Sequence, residues 1–270
     1  MTRQPSNFLL QTAALVTVLC FSVFPVSAQK KVKPPTSDAT AEKQAIEKIV
    51  REYLLENPEV LREAMQALQA KEEKAKSELI AKNLKTLKSE IYSDQDSPIV
   101  GNSKGDVSVV VFFDYNCGYC RKTLPNLEHL TANDKSLRII YKEFPIMNPQ
   151  SEVVARAALA ANRQGKYLEF HKALLETEAV GEEAVRMISE KLNLNAEQFQ
   201  KDMHDAKIAE ALSRNARLAT SLEIAGTPAY IIGDQIIPGA IDTDSLSQII
   251  TAARANLPKT ESVKVAAKVK

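Results

Sequence analysis

A chain of 270 residues with 35 Lys+Arg against 34 Asp+Glu carries no net field that would draw nucleic acid or an anionic membrane surface. Its 44% hydrophobic and 26% charged residues are an ordinary globular mixture, enough to bury the core of one large domain or two modest ones.

Residues 1–28 read as a targeting segment. Arg3 gives a positive start, an apolar run follows from Phe8 to Val26, and Val26-Ser27-Ala28 has the small-x-small pattern of a signal-peptidase site. A membrane anchor is the rival reading, weakened by Gln11, Thr12, Thr17 and Pro25. A lipidated Cys20 is disfavoured by the bulky Leu19 before it. Cleavage is expected after Ala28, with export of the mature chain. Cys20 leaves with the leader, so the mature chain keeps Cys117 and Cys120. Oxidising compartments favour cysteines as structural staples, but two cysteines separated by two residues cannot staple a domain. They point to redox chemistry or metal binding.

Residues 29–40 read as a Pro- and Lys-containing linker. From about Ala41 the pattern is helical, with Ile46, Ile49, Val50, Tyr53 and Leu54 at three- and four-residue spacing. Asn57-Pro58 breaks it and should start a second helix, with Asn as N-cap and Pro at the first helical position. That helix carries two apolar rows: Leu61, Met65, Leu68, Ala75 and Leu79, and beside it Ile80, Leu84, Leu87 and Ile91. A narrow apolar stripe on a long charged helix suits association between chains, so residues 41–92 are expected to be a helical oligomerisation segment forming a dimer or trimer. Packing on its own domain is the alternative.

Residues 93–106 are turn-rich, expected to act as a hinge, with a short strand at Ile99-Val100. Val107–Phe113 is a buried-strand signal, a continuous apolar run of β-branched and aromatic residues broken only by Ser108. The cysteine pair follows. After it comes a helix with Leu124, Leu127 and Leu130 on one side and a kink expected at Pro125. Residues 137–144 form a second strand. Helical periodicity runs through 151–164, 166–176, 181–192 and 196–222. Short strands 229–232 and 235–238 meet at Gly233-Asp234, a two-residue hairpin turn. Residues 242–255 form a final helix, and 258–270 a disordered basic tail.

The expected fold is α/β, thioredoxin-like over 93–257, with a helical insertion at about 147–222, preceded by the N-terminal helical segment. The strand–helix–strand start makes two parallel neighbours through a right-handed crossover, and a closing hairpin plus helix completes a mixed sheet.

The thiolate is the attacking species in disulfide exchange, and a helix N-terminus favours it. Cys117 falls at the first exposed turn after a strong strand, and Cys120 one turn further in and more buried. Cys117 is therefore the expected nucleophile and Cys120 the group that attacks the mixed disulfide. Gly118 and Tyr119 keep the turn open. Zinc would need four ligands, and His129, His171 and His204 are scattered, each expected at the surface or partly packed. No metal or cofactor is expected, although two thiolates could hold Cu(I). Thr227-Pro228 opens a strand; from the residues alone a trans bond is the default, a cis bond the alternative.

Three segments in order, FFDYNCGYC, YKEFPIMNPQS and GTPAYIIGDQIIPGAI, resemble the DsbA-like family of periplasmic oxidoreductases. The likeness spans roughly 41–257 and is nearest to the ScsC-like and Com1-like branch with an N-terminal oligomerising helical segment. The resemblance implies Cys117 as nucleophile, Cys120 as resolving cysteine, and Pro228 as a cis-proline facing the pair, with Gly118, Tyr119, Thr227 and Pro228 meeting the substrate. It also implies a periplasmic location and a membrane redox partner. Thr227 before the proline and Gly-Tyr between the cysteines are similar to disulfide isomerases of the DsbC type. Many relatives carry a buried acid six residues before the nucleophile, where this chain has Val111. Asp114 could substitute if its side chain points to the site; otherwise it is an exposed loop-edge residue. The expected activity is disulfide isomerisation or reduction on exported proteins with cysteines. The alternatives are a DsbA-like dithiol oxidase and, from another class, a copper-binding or holdase protein.

Overall fold

The computed structural model describes residues 37–257. The leader 1–28 with its cleavage after Ala28, Cys20, most of the 29–40 linker and the 258–270 tail lie outside the described residues. Two compact units divide between Met65 and Gln66.

In the first unit, helix α1 spans Ser37–Glu56, so the helix starts inside the expected linker. Asn57 closes it: the Asn57 backbone N–H and side-chain Nδ2 both donate to the Tyr53 carbonyl, at 2.8 and 2.9 Å. The Asn57 side chain thus serves the end of α1. Helix α2, Glu59–Thr86, starts one residue after Pro58. Ile46, Ile49, Val50, Tyr53, Leu61 and Met65 are between 49% and 71% exposed among the described residues.

In the second unit the two rows of α2 part company. Leu68 and Leu79 are half exposed or more. Leu84 and, on the short helix α3 (Lys88–Tyr92), Ile91 are buried in a cluster with Val110, Phe112, Ile140 and Ile231, with Ile80 and Leu87 packed against it. The second row therefore belongs to the core of its own domain. Residues 93–98 are pinned and do not form a hinge. Asp94 meets the buried Lys142 at 2.9 Å, Lys142 also donates to the Glu90 carbonyl at 2.8 Å, Ser97 is buried, and Arg138 donates to the Tyr92 carbonyl.

Strands β1 (Ile99–Gly101), β2 (Val107–Phe113), β3 (Leu137–Glu143), β4 (Ala229–Ile232) and β5 (Gln235–Pro238) form one sheet in the order β1-β3-β2-β4-β5. Only β2 and β3 are parallel, Val107 opposite Leu137 through Phe113 opposite Glu143. Both faces of β2 are covered, which is why its sequence is apolar without alternation. Val107, Val109, Val111 and Phe113 face the larger core; Val110 and Phe112 face the cluster with Leu84 and Ile91. The crossover consists of α4 (Gly118–Arg121) and α5 (Thr123–Asn133), separated at Lys122. The break lies upstream of Pro125, whose ring excludes a helical carbonyl four residues back at Arg121.

The insertion holds α6 (Pro149–Arg163), α7 (Tyr167–Glu176), α8 (Glu182–Lys191), α9 (Ala196–Met203) and α10 (Ala206–Ser221). The expected single helix over 196–222 is two, because Asp205 caps α10 by accepting from Lys207 N–H at 2.9 Å. Gly233 turns the β4–β5 hairpin at φ +63°. Helix α11, Thr243–Ala255, closes the domain behind its Asp242 cap.

Candidate active site

The chain leaves β2 at Phe113 and turns on Asp114. This side chain is buried, not a loop-edge residue. Its carboxylate accepts from the backbone N–H groups of Asn116 (2.8 Å), Ile146 (2.7 Å) and Met147 (2.8 Å) and from Ser151 Oγ (2.8 Å). All of its acceptor capacity serves to tie the cysteine turn to the start of the helical insertion. It is thus occupied in holding the turn.

Cys117 precedes α4 in an extended conformation, with φ −88° and ψ 115°. The Cys120 N–H donates to the Cys117 carbonyl at 3.0 Å, the first bond of the turn. Both cysteines are free thiols and both are buried, Cys117 at 3% and Cys120 at 0% exposure. The expected exposed position of Cys117 is therefore covered, by the loop before β4: Cys117 Sγ donates to the Thr227 carbonyl at 3.2 Å across 110 residues of sequence. The Thr227-Pro228 bond is cis. On the other side the turn is open. A Cβ on Gly118 would meet nothing within 4 Å, and Tyr119 is 63% exposed with Lys122 Nζ 5.2 Å from its ring centre. Cys117, Gly118, Tyr119, Thr227 and Pro228 thus gather at one end of the sheet. Burial pushes the Cys120 thiol well above the ordinary range, against a smaller opposing effect of hydrogen bonding.

A second group of polar residues lies in the same core and was not anticipated. Tyr115 and Tyr167 donate to Glu143 Oε1 at 3.0 and 2.8 Å, and His171 Nδ1 meets the Tyr115 hydroxyl at 3.0 Å. Glu143, Tyr115, Tyr167 and His171 are all buried. His171 is therefore a core residue, while His129 and His204 are exposed. The signal was present: Glu143 stands at the inward parity of a strand whose Leu137, Ile139 and Tyr141 face the core, and His171 follows Tyr167 by one helical turn.

Burial raises the Glu143 carboxyl to about 8, and burial lowers the His171 imidazole to about 3. Their effects on stability have opposite signs. Between pH 4.5 and 8 the native Glu143 holds more proton than the unfolded one, so stability falls as pH rises. Between pH 3 and 6.5 the native His171 holds less, so stability rises with pH. The two slopes oppose one another from 4.5 to 6.5, and Glu143 acts alone above that. Stability is expected to fall from pH 6.5 to 8 by up to about 1.4 kcal/mol per pH unit. Glu143→Gln should flatten this limb in denaturant titrations; a wild-type curve already flat there would refute the assignment.

The DSBA-like thioredoxin domain matches residues 108–251, and the N-terminal domain of the copper resistance protein ScsC matches residues 42–75. A thioredoxin-like oxidoreductase from Silicibacter pomeroyi DSS-3 is 36% identical with a TM-score of 0.61, over 63% of this chain and 98% of that one. A linker-deletion variant of Proteus mirabilis ScsC is 28% identical with a TM-score of 0.63, over 84% of this chain and all of the other. Among curated relatives, the Na(+)/H(+) antiporter NhaA 1 of Salinispora arenicola is 26% identical over 156 residues, which are 57% of this chain and 24% of that protein. The chain thus spans about a quarter of that relative's length.

Proposed function

Because the chain belongs to the DSBA-like thioredoxin domain family, we propose that it is a periplasmic thiol–disulfide oxidoreductase acting on exported proteins, and that it works as a disulfide isomerase or reductase. The observation that carries this reading is the contact of Cys117 Sγ with the Thr227 carbonyl, beside Pro228 and beneath an open Gly118-Tyr119 edge.

In this reading the Cys117 thiolate attacks one sulfur of a client disulfide. A Cys117–client bond forms, and the other client sulfur leaves with the electron pair. An extended client strand lies along the Thr227 backbone by β-addition, which aligns its sulfur with Cys117. Cys120 then attacks Cys117 Sγ and releases a reduced client, or a client thiol attacks instead and the disulfide has been moved. A membrane redox partner resets the pair. The apolar surface of α1 and the first row of α2 supports a homo-oligomer, dimer or trimer, that offers several sites to one misfolded client.

Direction is tested by trapping thiols in growing cells. A pair found mostly reduced is the expected result, since a reductase or isomerase must keep Cys117 as a thiol. A pair found mostly oxidised would replace this reading with that of a DsbA-like oxidase.

A further inference from the structure

We propose, on the exchange chemistry given above, that the groove between the last turns of α2 and the loop before β4 is a client subsite. It buries an aliphatic side chain of an unfolded polypeptide, a few residues from the cysteine held at Cys117.

The groove is a cavity of about 560 Å³, within the usual size of a preformed ligand site. Its floor is apolar: Leu84, Leu222, Ile224 and Ala229 are buried there. Ile80 on one wall and Ile236 on the other are only partly buried and pack against the same cluster. Ser77 and Ala81 on the α2 wall are exposed. The walls are fixed before any client arrives. Lys76 Nζ meets Glu223 Oε2 at 3.2 Å, and Asn83 Nδ2 donates to the Ser221 carbonyl at 2.7 Å, so α2 is clamped to the end of α10 and the loop after it. Residues 76–84 fall between the stretches that match the two family domains.

The occupant follows from what the groove adjoins. Thr227 and Pro228 line it at one end, and the Thr227 carbonyl is the group 3.2 Å from Cys117 Sγ. Gly226 beside them is open, with nothing within 4 Å of a Cβ built on it. A client strand laid along Thr227 cannot continue its pairing along β4. Strands β2 and β5 flank β4 on both sides, and the Pro228 carbonyl already accepts from Gly239 N–H at 2.8 Å. Past that point the client is held by side chains and not by its main chain. An extended chain advances about 3.3 Å per residue and turns alternate side chains to one face, so those roughly two to four residues from the client cysteine reach the groove. Aliphatic side chains match its floor. They are exposed in misfolded clients and buried in finished ones, so the subsite favours clients that still need exchange.

The test compares two synthetic peptides, each with one cysteine joined to glutathione by a disulfide. One has leucines, the other serines, at the positions two and four residues to either side. Full-length wild type, fully reduced, should act on the leucine peptide with kcat/KM about tenfold above that for the serine peptide, which burial of one aliphatic side chain accounts for. Ala81→Glu puts a charge on the groove wall at an exposed helical position and should bring that ratio close to one. A second measurement uses the absence of Trp from this chain. A Trp replacing one leucine, trapped on Cys117 of Cys120→Ser, should emit further to the blue than in the free peptide and lose that shift when Ala81→Glu is added. Equal rates for the two peptides in wild type overturn the proposal. So does a ratio or a blue shift that survives Ala81→Glu. If Ala81→Glu fails to fold, Ser77→Glu on the same wall decides by the same readings. A variant that changes the sedimentation of the chain and keeps the peptide ratio gives the groove to a second copy, and the proposal falls. Wild type that reduces neither peptide nor glutathione disulfide would instead sink the exchange reading itself.

Discussion

Cys117→Ser is expected to reduce thiol–disulfide exchange to the uncatalysed background, while Cys120→Ser keeps the first attack and accumulates mixed disulfides with clients. The asymmetry follows from where each sulfur sits. Cys117 lies at the junction of α4 with the loop before β4, its Sγ 3.2 Å from the Thr227 carbonyl and its neighbour Gly118 open to solvent. A client strand can reach it from that side. Cys120 is fully buried, and burial raises its thiol. A client disulfide cannot approach it, but the sulfur one turn away can. A serine at 117 removes the sulfur that attacks the client. A serine at 120 leaves the attack intact and removes only the intramolecular escape from the mixed disulfide. The check is non-reducing electrophoresis of cell extracts, with insulin reduction as the activity readout. If Cys120→Ser traps no adducts, wild type shows no catalysis and copper is bound tightly, the copper-binding reading takes over.

What the sequence discloses of this site depends on the range of the interactions. Cys117 and Cys120 are neighbours in the chain, and their place between a strand and a helix follows from local pattern. The β2 strand is legible because burial on both faces leaves a run that is apolar except at Ser108, β3 because Leu137, Ile139, Ile140 and Tyr141 cluster between turn signals, and the hairpin because Gly233-Asp234 fits a two-residue turn. Interactions that cross the fold left weaker marks. Asp114 resembles any turn aspartate until the N–H groups of Ile146 and Met147 are brought to it from beyond β3. Glu143 resembles a strand-end acid until Tyr115 and Tyr167 meet it. Parity along β3 marks it as inward, but parity does not supply the partner. The α2 rows show the same limit: both have helical periodicity, and only tertiary packing distinguishes Ile80, Leu84, Leu87 and Ile91, which pack with the sheet, from Leu61, Met65, Leu68 and Leu79.

That division decides where the chain can be cut. A chain shortened to begin at Lys76 should fold as a monomer that still exchanges thiols and should lose isomerase activity on scrambled substrates. A cut after residue 92 should not yield a stable domain. It removes Leu84 and Ile91, each buried in the second core cluster. At roughly 1.5–3 kcal/mol per buried side chain these two alone contribute about 3–6 kcal/mol, a large part of the 5–15 kcal/mol that typically holds a domain together. It also removes the Glu90 carbonyl that Lys142 uses. The cut before Lys76 spares these contacts. It deletes Ile46, Ile49, Val50, Tyr53, Leu61, Met65 and Leu68, all about half exposed or more. Leaving such a surface in water forgoes burial that copies of the same chain could provide, and the match of residues 42–75 to the ScsC N-terminal domain covers the same stretch. Sedimentation of the mature chain at micromolar concentration should therefore report a dimer or trimer, and that of the Lys76 chain a monomer. Refolding of scrambled ribonuclease should proceed with the first and stall with the second, while insulin reduction is kept by both. A mature chain that sediments as a monomer removes the oligomeric isomerase model. A Lys76 chain that still unscrambles ribonuclease at the full rate separates isomerisation from assembly and leaves each catalytic domain sufficient for the reaction.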